Sequence, residues 1–189
     1  MVTPPTFSHV VFMTRNFEEM KAWYMNVFGA EVVHGDPAFA FLTYDDESHR
    51  FAIANLDVLK PEVPTDSGHG EIGLNHIAYT YASAADLLET YVRLKEQGLT
   101  PYWPVHHGIT LSFYYQDPDG NRIELQVETC NSDDAFDYMR CEAFANNPVG
   151  VEVDPEYLLA RYRAGASEAE LTARPEGDPS PIPDAHGIA

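Results

Sequence analysis

The sequence predicts an α+β fold: two paired βαβββ modules, roughly residues 7–58 and 72–128, forming a curled mixed sheet around a cleft, with C-terminal helices and a Pro-rich tail. Three observations carry this prediction. The chain is written twice, since "FSHVVFMTRNFEEMKAWYMNVFGAEVV" and "LNHIAYTYASAADLLETYVRLKEQGLTPYW" each read as a short apolar strand with a histidine near its start, a helix, a glycine and a second strand. The ends of the two stretches also match: "DDESHRFAIANL" from Asp45 stands 72 residues (117 − 45) before "DPDGNRIELQVE" from Asp117. Finally, 189 residues with 44% hydrophobic content suit one globular domain that needs no disulfide staples. We place that domain at residues 1–150 and a helical extension with a tail at 151–189.

Each element has a local reason. In the first helix Phe17, Met20, Trp23, Tyr24 and Val27 recur at helical spacing, and Gly29 is placed to stop it. Ala84, Leu87, Leu88, Tyr91 and Leu94 do the same before Gly98. Between the modules, PEVPTDSGHGEIG has the Pro and Gly content of a surface connection. In the second module Asp117-Pro-Asp-Gly120 reads as a tight turn. The alternation after it puts Ile123, Leu125 and Val127 on one face of a strand and Arg122, Glu124 and Gln126 on the other. Residues 132–145 and 155–173 are helix-like, and the text after Arg174 reads as an extended or loosely ordered tail.

Composition narrows the function. Eleven Lys plus Arg against 30 Asp plus Glu leave a net charge of −19, which repels phosphate backbones and anionic headgroups, so no nucleic-acid or membrane partner is expected. No run approaches the ~20 apolar residues of a membrane span, and the first residues show neither a basic nor an apolar signal region. Cys130 and Cys141, read as lying along one helix, would be ~16 Å apart at ~1.5 Å per residue, too far to bridge. We expect a reduced, cytoplasmic protein and, because curled sheets of this size pair edges, a homo-oligomer.

The repeat also serves as a ruler for chemistry. His9 and His76 hold equivalent places on the first strands, while Glu124 on the last strand of module two has Ala52 as its counterpart. If the modules face each other about a pseudo-two-fold axis, these positions converge, three with ligands and one with a methyl group. Taken singly, a strand His or Glu is ordinary; the symmetric placement is what points to an open metal site. Two imidazoles and one carboxylate with vacant positions favour non-haem Fe(II); Mn(II) is compatible, and ligand identity alone also admits Zn(II).

With His9, His76 and Glu124 in this double layout, the chain resembles the vicinal oxygen chelate superfamily, and within it the small single-domain type I extradiol catechol dioxygenases. The resemblance spans about residues 7–128. It implies ring cleavage of a catechol-type aromatic, possible substrates including bicyclic diols, with O2 as co-substrate and Fe(II), or Mn(II), as cofactor. "HRFAIANL" is similar to the segment carrying the family's pocket acid/base histidine, which lands on His49. "LSFYYQDPDGNRIE" is similar to the segment whose pocket tyrosine lies ten residues before the ligand glutamate, which lands on Tyr114. "VHHGITLSFYY" offers the second pocket histidine, and of His106 and His107, which face opposite ways on an extended segment, we choose His106. Phe39, Phe41, Tyr102 and Trp103 are candidate walls, Arg50 and Arg122 candidate supports; His34, His69 and His186 are read as surface residues. The alternatives are another metal enzyme on the same scaffold (thiol transferase, isomerase or epimerase) and a metal-free ligand-sequestering protein. Against a four-ligand isomerase site stands Ala52.

Overall fold

The computed structural model describes residues 9–46, 49–61 and 76–186, so His69 and most of the connection between the modules lie outside the described residues. The chain forms two compact units, Met1–Gly70 with Asp117–Gly120, and Glu71–Gln116 with Asn121–Ala189.

The first unit runs β1 (Val10–Thr14), α1 (Phe17–Phe28), β2 (Glu31–Gly35), β3 (Phe39–Thr43), β4 (Phe51–Asn55) and α2 (Leu56–Leu59). Its strands lie in the order β1-β4-β3-β2, with β1 parallel to β4 and the other pairs antiparallel. The five α1 positions expected to be apolar are the five that are buried, and Gly29 closes the helix at φ 64°. Tyr24 packs on Phe12 and Phe51 with ring centroids 4.9 and 4.5 Å apart, so α1 covers the sheet face built from Phe12, Ala40, Leu42, Phe51 and Ile53. The other face carries Val11 and Met13, more than half exposed, and Phe39 and Phe41. The Asp-Pro-Asp-Gly turn forms as expected: Asp117 accepts from the backbone N–H of Asp119, and the Tyr24 hydroxyl donates to its carboxylate at 3.1 Å.

In the second unit come β5 (His76–Tyr81), α3 (Ala84–Glu96), β6 (Trp103–His106), β7 (Thr110–Gln116) and β8 (Arg122–Glu128). The extension adds α4 (Ser132–Met139), α5 (Glu142–Asn146), β9 (Val151–Glu152), α6 (Pro155–Arg163), α7 (Glu168–Leu171) and a 3₁₀ turn at Asp184–His186. The strand order β5-β8-β7-β6 repeats that of the first unit, and β9 extends its edge. The registers repeat as well. Val11 pairs with Ala52 as Ala78 pairs with Glu124, and 78 − 11 and 124 − 52 are the two offsets, 67 and 72, that relate the modules. Thus Ala52 is the structural counterpart of Glu124.

Three expectations are refined. The helix of residues 132–145 is broken near Arg140, so Cys130 precedes α4 and Cys141 is the N-cap of α5; both cysteines are unbridged. The stretch 155–173 is split where Gly165 adopts φ 87°. The tail, moreover, is packed. Ser180 N–H donates to Gly150 O at 2.8 Å, Trp103 Nε1–H donates to Ser180 Oγ at 2.9 Å, and Ile182 lies on a cluster of Trp103, Val105 and Tyr114. Prolines exclude a helix there and remove backbone donors that would need partners, which lets an extended strand lie on an apolar surface. Among the described residues no helix is long and apolar enough to cross a membrane.

Candidate functional site

In the second unit His76, Arg122 and Glu124 share one sheet face with Tyr114 and Ser112, because the strand registers place Tyr114 opposite Glu124 and His76 opposite Arg122. His76 Nε2 lies 3.1 Å from Glu124 Oε2. The carboxylate is 5% exposed. Burial alone would raise its pKa, but hydrogen bonds from His76 and Ser112 and the neighbouring imidazoles outweigh that and hold it below the ordinary glutamate value. An anionic carboxylate kept in a buried site is a ready metal ligand. The spacing fits too: two ligands at right angles, each ~2.1 Å from one ion, stand ~3 Å apart. Among the described residues, however, no three His, Cys, Asp or Glu side chains are gathered into a metal-holding set, and His76 with Glu124 is the pair this unit assembles.

Tyr114, directly across from Glu124, is buried and hydrogen-bonded to it, and both burial and the carboxylate's charge push its pKa far up. Its hydroxyl therefore keeps its proton. The same hydroxyl lies 3.0 Å from His107 Nε2, while His107 Nδ1 lies 2.5 Å from the Val149 carbonyl oxygen. A carbonyl only accepts, so Nδ1 carries the hydrogen and Nε2 is an acceptor. Burial lowers the imidazole pKa, which preserves that neutral form. Glu124 and His107 thus compete for one phenolic proton.

The choice of His106 is corrected here. Residue 106 pairs with Leu111, and so points to the face opposite Tyr114 and Glu124. It accepts from Gly108 N–H at Nδ1 (3.0 Å) and donates from Nε2 to the Thr172 carbonyl (2.8 Å), a structural bond from β6 to the end of α7. His107, the next residue, is the histidine beside Tyr114. Alternation predicts that the two diverge, but which one meets Tyr114 depends on the β6–β7 register, which the sequence does not display. His186, read as a surface residue, is 3% exposed on this same face, with Tyr102 OH 3.0 Å from its Nδ1. Burial, with His76 and Arg122 alongside, pushes its imidazole down to about 4. The only signals for it were an apolar Ile182 and a histidine in an otherwise polar tail. Tyr102 and Trp103 stand here as candidate walls, their ring centroids 6.2 and 5.0 Å from that of Tyr114. Arg122 donates from Nε to Ala185 O at 2.6 Å, holding the tail.

In the first unit, exposed His9 precedes β1 and His49 precedes β4; their ring centroids are 4.4 Å apart. Phe41 meets His49 edge to face at 5.2 Å, and Phe39 stacks on Phe41 at 6.1 Å. Arg50 is held by Asp45 through paired 3.0 and 2.9 Å bonds. His34 lies on β2, not in a loop, and is exposed. Each unit therefore brings its own candidates together: His9 with His49, and His76 with Glu124 and Tyr114.

The chain belongs to the glyoxalase/bleomycin resistance protein/dioxygenase superfamily, whose family model matches residues 6–125. It is 40% identical to biphenyl-2,3-diol 1,2-dioxygenase 2 of Rhodococcus globerulus over 91% of this chain and 89% of that protein. Its identity to biphenyl-2,3-diol 1,2-dioxygenase 3 of the same organism is 38%, over 92% and 90%. Among solved structures, lactoylglutathione lyase of Agrobacterium tumefaciens shares the fold with TM-score 0.52, at 19% identity over 66% of this chain and 94% of that one. The fosfomycin resistance protein FosX of Mesorhizobium loti does so with TM-score 0.52, at 22% identity over 71% and 99%.

Proposed function

We propose that the protein is an extradiol dioxygenase that cleaves the ring of a catechol-type diol, bicyclic diols of the 2,3-dihydroxybiphenyl kind included, inserting both atoms of O2. The observation that carries the reading is the 40% identity to a biphenyl-2,3-diol dioxygenase over nine-tenths of the chain. The buried Glu124, paired with His76 and faced by Tyr114, supports it with chemistry. His76 and Glu124 would supply two metal ligands. His9 would be the third by the equivalence of the repeats, which the matching registers support. Ala52, where Glu124 has its counterpart, offers no fourth ligand. Fe(II), or Mn(II), bound there would supply the electron exchange between diol and oxygen that spin-paired organic molecules lack on their own.

The residues of the chain have separable tasks. Tyr114 donates its phenolic proton to an oxygen of the diol once Glu124 is engaged, orienting the ring. His107 Nε2, neutral and held by Val149, accepts a proton from the diol or from Tyr114. His49 hydrogen-bonds the oxygen molecule and returns a proton as the O–O bond breaks. The ring bond beside the diol breaks, each new end takes one oxygen atom, and a coloured hydroxy-keto-dienoic acid leaves. Tyr102 and Trp103 supply ring surface beside Tyr114 in the second unit, as Phe39 and Phe41 do beside His49 in the first.

The reading is tested by oxygen uptake and visible absorbance on anaerobically purified protein supplied with Fe(II), using catechol, 3-methylcatechol and 2,3-dihydroxybiphenyl. One O2 consumed per diol with a yellow product is expected. Glu124→Ala should abolish it, and His107→Phe should lower kcat/KM about 100-fold. Tight binding of one metal with no uptake would turn the reading to a transferase or isomerase, and no metal bound at all would overturn the ligand set.

A further inference from the structure

The C-terminal segment brings one more ring to the face that carries Glu124. The His186 centroid lies 4.7 Å from that of Trp103, 4.8 Å from Tyr114 and 5.6 Å from His76. The contacts with Trp103 and Tyr114 are edge to face, at interplanar angles of 63° and 79°. Its backbone is held from two sides, by Ser180 N–H on Gly150 O at 2.8 Å and by Arg122 Nε–H on Ala185 O at 2.6 Å. Arg122 is the strand partner of His76, so the anchor of the tail and the proposed ligand share one rung of the sheet.

We infer that His186 is a substrate-contacting, specificity-determining residue: the ring against which the apolar substituent of a substituted diol packs. The inference rests on the ring-cleavage reading above. A diol whose oxygens are held beside His76 and Glu124 lies against Tyr114, and both Tyr114 and His76 are among the rings that His186 touches. Trp103 lies at 25° to Tyr114 while His186 stands at 63° and 79° to the two, so the wall offers an aryl group both a face and an edge. Aromatic groups prefer offset or edge-to-face contacts over parallel sandwiches. The ligand class is a neutral catechol with an aryl substituent. An unsubstituted catechol, engaged through its oxygens and lying against Tyr114, makes less use of the His186 end of this wall than an aryl-substituted one.

The test compares full-length, Fe(II)-loaded wild type with His186→Leu, which keeps volume without a ring, and His186→Phe, which keeps the ring. Anaerobic titration calorimetry and kcat/KM are measured with catechol and with 2,3-dihydroxybiphenyl. An aromatic wall contact is worth roughly two- to tenfold in affinity. His186→Leu should weaken the biphenyl diol by about fivefold and change catechol less than about twofold, with His186→Phe retaining the preference. Equal losses for both diols, or no loss for either, overturn the inference while leaving the reaction intact. Wild type that neither binds nor turns over either diol overturns the ring-cleavage reading, and the role of His186 falls with it.

Discussion

At His106 both imidazole nitrogens are committed, one accepting from Gly108 N–H and the other donating to Thr172 O, and the side chain is 1% exposed. Burial lowers its pKa, and the Arg174 guanidinium pushes the same way against the hydrogen bond to Thr172. The unfolded chain therefore takes up a proton at His106 at a higher pH than the folded one does. The stability this neutral imidazole contributes is complete above about pH 6.5 and is lost as the pH falls below that toward the depressed folded value. His106→Gln, whose amide can still donate to Thr172, should make the fall in urea midpoint between pH 7 and pH 5 shallower. His107 and His186, also depressed, leave the remainder of the slope. An unchanged slope would show that His106 takes up its proton as readily in the folded protein as in the unfolded chain. The meeting of His76 with Glu124 was legible because strand alternation and the repeat both act over short sequence distances, while Tyr114 was placed by the family resemblance, with which alternation agrees. The choice between His106 and His107 was not, since it turns on how β6 slides along β7, a register set by the Gly108–Ile109 hairpin and by packing on both faces.

Gly150 shows how one element positions another. It sits just before β9, with φ 107°, and a Cβ there would lie 2.4 Å from His106 O and 2.9 Å from His107 Cα. Those are backbone atoms of the β6 exit and cannot swing aside. The close approach lets β9 pair with β6, offers Gly150 O to Ser180, and leaves neighbouring Val149 O in place to hold His107. Gly150→Ala should therefore cost about 2 kcal/mol or more of stability through strained backbone alone. It should also raise KM and lower kcat together, because His107 loses its orienting carbonyl. Urea unfolding and steady-state kinetics on the variant check both; a stable variant with normal kcat would mean the β9 edge does not set the site. The two βαβββ modules could be read from sequence because each is built from local periodicity and closed by a glycine at a helix end. The packing of β9 and the tail could not. β9 pairs with Val105 and His106, and the tail's partners, Trp103 Nε1–H for Ser180 and Arg122 for Ala185, lie 77 and 63 residues away; no local pattern encodes contacts at such distances.

Across the whole molecule, a net charge of −19 on 189 residues creates a negative potential that reaches well beyond any one side chain. Its range is set by salt, with a screening length of ~30 Å at 0.01 M and ~8 Å at 0.15 M ionic strength. A catechol or dihydroxybiphenyl is neutral at pH 7 and approaches without electrostatic work. A carboxylated diol such as 2,3-dihydroxybenzoate carries a negative charge and must climb the potential to arrive. On the ring-cleavage reading, the field thus favours neutral over anionic diols before any contact is made, in the same direction as the proposed contact with His186. Inhibition of catechol turnover by 2,3-dihydroxybenzoate should be weak at 10 mM NaCl and strengthen several-fold by 200 mM, while kcat/KM for catechol itself stays constant. If the inhibition constant does not move with salt, the cations close to the site, Arg122 foremost, cancel the global field where the substrate binds.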